Sequence, residues 1–334
     1  MLLAALLAFT PSAVAAPYVA YIGNVPVHSP SPDARIMVAD FAGGDPVNVS
    51  EGLSSARSPV WAPSGTRLAF EAVGAGLNDI YTAKADGSNR LNVTDSPDIW
   101  ESAPCYIDEG HLAYLAGPDR TQVVGHSINA GHTMRLTTDA AFHSPPIANP
   151  EGTLIAVTAS EKLAGPGHIL LIDIATREIR QLTQEPALYS EPCFSPDGET
   201  IAFAFDGVEV EGSTRGVALA DVETGDLTLL ASDGYPLTPV SFSSDGTRIA
   251  YTSSVAYHNT WVASVGVDGS DAERLAVTSF HIIAWPSYSP DGETLAYQGV
   301  YAAKYYIHAV NLVTGEDRRI TTGGSGVRPV CSPR

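Results

Sequence analysis

The side chains in this sequence that could do chemistry stand in short stretches ahead of recurring prolines. Glu101, Glu191, His143 and His281 supply the acid, base and imidazole groups of general acid–base chemistry. That chemistry requires them within reach of one bond, and so depends on convergence in the fold. The two histidines would also suit a metal, but the short His/Asp/Glu spacings of a zinc or calcium site are missing, so no metal or cofactor is assigned. Arg57 and Arg328 lie two and one residues before Pro59 and Pro329. Their guanidinium groups suit an anion or a partner carboxylate, or equally an ion pair with Glu101 or Glu191. Trp100, Tyr189, Tyr235 and Trp285 occupy the same kind of segment. They read either as interface anchors or as wedges between packed elements. Cys105, Cys193 and Cys331 are too few and odd in number for a disulfide framework, and with no Cys–His signature they read as core thiols.

What must position these residues is a repeat. Pro192-Cys-Phe-Ser-Pro-Asp-Gly198 is followed by Thr200-Ile-Ala-Phe203, and Pro286-Ser-Tyr-Ser-Pro-Asp-Gly292 by Thr294-Leu-Ala-Tyr297. Further copies run from Pro59, Pro104, Pro146 and Ser241. Each continues into a second apolar stretch, a Gly- or Asp-bearing turn, and a short segment such as Arg90-Leu-Asn-Val-Thr94. Asp accepts local backbone hydrogen bonds and Gly adopts positive φ, so the phrase predicts a tight hairpin. Four short strands per period of about 40 residues, here A to D, is the pattern of a propeller blade. A lone blade cannot cover both its faces; a ring of blades can.

The chain ends complete the ring. Tyr18-Val-Ala-Tyr21, Arg35-Ile-Met-Val-Ala39 and Pro46-Val-Asn-Val-Ser50 read as strands B, C and D, and Pro329-Val-Cys-Ser-Pro333 as strand A. The expected fold is therefore an all-β, seven-bladed β-propeller with four antiparallel strands per blade. Its ring is closed by the C-terminal strand A beside the N-terminal strands B to D. Six blades is the alternative. In either ring the D-to-A and B-to-C loops gather at one end of the channel. There they form a varied face held by rigid blades.

The phrase Ser-Pro-Asp-Gly-x-x-Ile-Ala-Phe, with the Ile-Tyr strand and closing Arg-Leu-Thr, resembles the WD-like repeat of the periplasmic TolB propellers. It is also similar to repeats in the propellers of prolyl oligopeptidase relatives. The resemblance covers nearly all of the chain after residue 16. It implies an envelope-facing propeller. TolB itself has six blades behind an N-terminal α/β domain, for which this sequence leaves no room. The peptidases add an α/β-hydrolase domain, and no Gly-x-Ser-x-Gly elbow occurs here. Neither Pal binding nor peptidase activity transfers residue by residue, since one architecture hosts many activities. Related propeller lyases acting on pectin fragments hold a metal with His and Gln on this face.

Composition agrees with a folded, exported chain. Of 334 residues, 44% are hydrophobic and 16% charged, and the formal net charge is −19. That charge disfavours nucleic acid and anionic membrane surfaces. Residues 1–15 read as a signal peptide, with an apolar run from Leu2 to Phe9 and an Ala13-Val14-Ala15 cleavage site. The basic n-region is missing, which leaves open a start further upstream. Residues 16–334 read as one propeller domain with no integral membrane segment. The expected function is a periplasmic or extracellular noncatalytic scaffold. It would bind a protein, peptide or envelope component on the D-to-A and B-to-C loop face, with room for a small ligand in the channel mouth. The alternative is a propeller hydrolase or lyase acting on a carbohydrate or small ester.

Overall fold

The computed structural model describes residues 18–24, 31–41, 45–74, 76–117, 121–138, 141–232, 239–256, 259–276, 282–301, 304–321 and 326–333. The expected leader, Tyr235 and His281 lie outside them. The described residues form strands and no helix, in seven antiparallel sheets, each built around four strands in the order A to D. Blades are numbered by strand A. These strands are Ser54–Trp61, Glu101–Asp108, the pair Phe142–His143 and Ile147–Ala148, the pair Leu188–Tyr189 and Cys193–Phe194, Ser241–Phe242, Ile282–Tyr288, and Val327–Cys331. In blades 3 and 4, Pro145-Pro146 and Pro192 interrupt strand A. Proline has no N–H for the ladder, so the strand splits there.

Blade 7 joins the chain ends. Val327–Cys331 pairs antiparallel with Tyr18–Gly23, placing Val19 opposite Cys331 and Ala20 opposite Val330. The Ser332 N–H donates to the Tyr18 carbonyl at 2.8 Å. The Trp61 indole N–H donates to the Val330 carbonyl at 2.9 Å, tying blade 1 to the closing strand. Seven blades, not six, complete the ring.

The recurring phrase is explained by its hydrogen bonds. In Ser195–Thr200, Ser243–Arg248 and Ser289–Thr294 the serine hydroxyl donates to the turn aspartate and accepts the N–H five residues on, at 3.0 Å in each. The turn glycines Gly198, Gly246 and Gly292 have φ of 77°, 72° and 71°, a region closed to most side chains. These aspartates complete the hairpin. The residue closing strand D has an equally local task. The hydroxyls of Thr94, Thr137, Thr183, Thr321 and Ser50 accept the N–H groups of Ile80, Val123, Ile169, Ile307 and Ile36 in strand C, at 2.9–3.1 Å.

The core lies between blades. The Leu/Ile-Ala-aromatic triplets of strand B, among them Leu68 with Phe70, Ile201 with Phe203 and Leu295 with Tyr297, are fully buried against neighbouring sheets. Each such side chain contributes about 1.5–3 kcal/mol of transfer free energy. Because every blade is covered only by the next, the closing pairing protects the whole set.

Candidate functional site

Strand A carries a repeated irregularity at the channel. Ser58, Ala103, Trp285 and Arg328 each precede the strand-A proline and adopt φ of 50°, 51°, 52° and 51°. The ladder register shifts at the same place in blades 1, 2, 6 and 7. A left-handed residue at a β-bulge bends the strand and re-aims its neighbours, and non-glycine residues adopt this conformation only where their surroundings enforce it.

Part of that enforcement comes from the residue after each Leu-Ala-aromatic triplet. The Ala103 N–H donates to Glu71 Oε2 at 3.0 Å, and the Arg328 N–H donates to Gln298 Oε1 at 3.2 Å. Glu71 and Gln298 hold the same position in strand B of blades 1 and 6. Each reaches into the next blade. In blade 3 the equivalent Thr158 hydroxyl donates to the Ser190 carbonyl of blade 4 at 3.2 Å.

These bulges border a cavity of about 620 Å³ at the channel mouth, lined from five blades. Arg328 and Val327 come from blade 7, Arg57 and Glu71 from blade 1, Ser102 and Ala103 from blade 2, Phe142, His143 and Leu163 from blade 3, and Glu191 from blade 4. Antiparallel order puts the D-to-A and B-to-C loops at this end, and the A-to-B and C-to-D turns at the other.

Two carboxyl groups here are pushed toward the neutral form. Burial raises Glu191, against the opposing charge of Arg328. Burial raises Glu101 to about 7, opposed by hydrogen bonds from Thr94 and Ser96 and assisted by the charge of Asp79. His143 Nδ1 faces the Thr121 carbonyl, an acceptor, so that nitrogen carries the proton and Nε2 is the basic one in the neutral ring.

No family model matches the sequence. The Tol-Pal system protein TolB of Francisella tularensis subsp. holarctica is 28% identical over 204 residues, covering 60% of this chain and 46% of that protein. The crystal structure of TolB from Acinetobacter baumannii is similar over 95% of this chain and 67% of that one, with a TM-score of 0.63 at 20% identity. The chain is a TolB-like β-propeller. Its matches span about half the length of the curated relatives. An oligogalacturonate lyase from Vibrio parahaemolyticus shares the fold, with a TM-score of 0.65 at 13% identity over 91% of this chain and 86% of that one.

Within this TolB-like propeller, Arg57, His143, Glu191 and Arg328 meet in the cavity. Trp285 lies beside it, its ring 5.0 Å from the Arg328 guanidinium carbon. Glu101 opens strand A of blade 2 and is buried behind the mouth, accepting from the Ser96 hydroxyl at 3.0 Å. Half-buried Trp100 precedes it, its carbonyl accepting the Gly117 N–H. Tyr189 packs edge-on against Phe203, and its hydroxyl donates to the Glu185 carbonyl, so the structure places it as a wedge in blade 4. The three thiols are inside the fold; burial pushes Cys105 up to about 11 and Cys331 to about 12, and raises Cys193 as well. Among the described residues, no group of three or more His, Cys, Asp and Glu could hold a metal ion, and no helix is long and apolar enough to cross a membrane.

Glu71 is the charged cavity residue that sequence reasoning missed. Its signal was a charge directly after an otherwise apolar Leu68-Ala69-Phe70 run, which strand periodicity alone treats as an edge.

Proposed function

We propose that this TolB-like propeller is a noncatalytic binding scaffold of the periplasm or cell exterior, exported by residues 1–15. Residues 16–334 form its single propeller domain, and it receives a protein or peptide segment at the channel mouth. The cavity carries this reading. It is of ligand-binding size and is assembled from five blades. Exposed apolar side chains stand on loops and strand ends at the same end: Leu163 is 79% exposed, and Ile99, Leu188 and Tyr301 are also open to solvent. Membership of the TolB relative in a Tol-Pal system agrees with an envelope partner.

The test compares two equally exposed leucine-sized positions. Leu163→Asp at the mouth is expected to reduce crosslinked capture of an envelope partner about tenfold. Val313→Asp, 76% exposed on a C-to-D turn, is expected to leave capture unchanged. Equal capture by both variants would sink the reading.

One observation favours a second reading, a hydrolase or lyase: His143 and Glu191 line the same cavity. Turnover of an ester or acidic oligosaccharide that disappears in Glu191→Gln would replace the scaffold reading with this one.

A further inference from the structure

We infer that the channel mouth reads acidity, with Arg57 and Arg328 clamping a carboxylate of an acidic, partly apolar peptide segment. The inference rests on the binding reading above and supplies its chemistry. Among the described residues, neither guanidinium makes a hydrogen bond or an ion pair. The chain has 37 acidic residues against 18 basic ones, so two guanidinium groups on adjacent blades with no hydrogen bond or close ion pair among the described residues stand out. Arg57 is half-buried. Removing a charge from water without a counter-charge costs free energy that a bound anion would recover.

The clamp is held in place before any ligand arrives. The Arg328 backbone is fixed in its left-handed bulge by the bond to Gln298. Its guanidinium carbon stacks over Trp285 at 5.0 Å, a favourable cation–π geometry. Arg57 sits between two register shifts of its own strand. Preorganisation of this kind lowers the entropy lost on binding.

Two carboxyl groups line the same cavity, and a bound carboxylate must compete with them for the two guanidinium groups. Glu71 is 5% exposed and engaged by the Ala103 N–H. Burial raises Glu191 and the charge of Arg328 opposes that rise. Phe142, Leu163 and Val327 line the same cavity. Guanidinium groups framed by apolar side chains suit alternating acidic and apolar peptide residues better than a uniformly polar acidic sugar.

The test uses the full chain and three probes: a short fluorescein-labelled peptide of alternating Asp and Leu, its Asn counterpart, and tetragalacturonate as competitor. The acidic peptide is expected to bind about tenfold or more tightly than the Asn peptide, a difference of about 1.4 kcal/mol. Arg57→Gln and Arg328→Gln should each remove most of that preference, and the double variant all of it, with unchanged thermal unfolding. Equal affinity for the two peptides, a preference that survives the double variant, or no measurable binding of the acidic peptide would overturn the inference. Tetragalacturonate binding more tightly than the peptide would overturn the peptide assignment. Envelope-partner capture that persists in the double variant, yet falls in Leu163→Asp, would remove the acid clamp and leave the binding reading standing.

Discussion

At the turn end of the ring, aspartates are held in their charged form. The Ser195 and Ser243 hydroxyls keep Asp197 and Asp245 below the ordinary carboxylate range, and Ser88 and Ser270 do the same for Asp86 and Asp268. Backbone N–H groups of Thr176 and Thr224 lower Asp173 and Asp221. At the mouth end, burial raises Glu101 and Glu191. One end repeats a single exposed, fully satisfied device. The other end varies from blade to blade and raises two buried acids, one of them against the charge of Arg328. Residues that recur with the blades serve the hairpins, whereas the mouth residues differ from blade to blade.

The division is broken most severely if the ring does not depend on its closure. Deleting residues 327–334 removes the partner of Tyr18–Gly23 and the acceptor of the Trp61 indole. It exposes the hydrophobic faces of blades 6 and 1. In a ring stabilised by neighbour contacts, the cooperative unfolding transition should disappear in calorimetry. A truncated chain that still melts in one sharp transition within about 5 °C of the full chain would show that each blade stands alone.

Glu101 gives a sharper, smaller contrast. Its folded-state value is raised to about 7, so the native state holds a proton that the unfolded chain releases above about 4.5. Stability from this group is therefore present below about 4.5 and is lost as pH rises through about 7. Glu101→Gln, which mimics the protonated acid, should be stabilising at pH about 8 by about 2–3 kcal/mol and near neutral at pH about 4.5. Urea denaturation at the two pH values measures the difference. A variant equally destabilised at both would mean that Glu101 is held ionised.

Much of this was legible in the chain. The Ser-Pro-Asp-Gly hairpins encode their own hydrogen bonds, so blade number, strand order and closure followed from local chemistry. Closure in turn put Arg57 beside Arg328 and brought His143 and Glu191 to the same mouth. The bulges were not legible. A residue before proline is pushed toward extended backbone by local sterics, yet Ser58, Ala103, Trp285 and Arg328 are left-handed, and at Ala103 and Arg328 inter-blade bonds to Glu71 and Gln298 work against that bias. Glu101 looked like a loop residue for the same reason. Only the register of blade 2 shows that it begins a strand, with its carboxyl turned inward.

The smallest expected effect tests the turn end on its own terms. Ser243→Ala removes the hydroxyl that accepts the Arg248 N–H at 3.0 Å and donates to Asp245 at 2.6 Å. The loss should be about 1–2 kcal/mol at neutral pH. Asp245 is lowered in the native state, so its contribution is present above the unfolded value and fades as pH falls through the folded one. The penalty of Ser243→Ala should therefore shrink in acid, whereas the benefit of Glu101→Gln shrinks there for the opposite reason: the native acid is already protonated. Opposite signs of the two substitutions at neutral pH, converging as the pH falls, would separate a device that keeps an acid charged from a site that keeps one neutral. If Ser243→Ala is as harmful at pH about 3 as at pH about 7, the hydroxyl acts through the Arg248 N–H alone and the aspartate adds nothing to the turn.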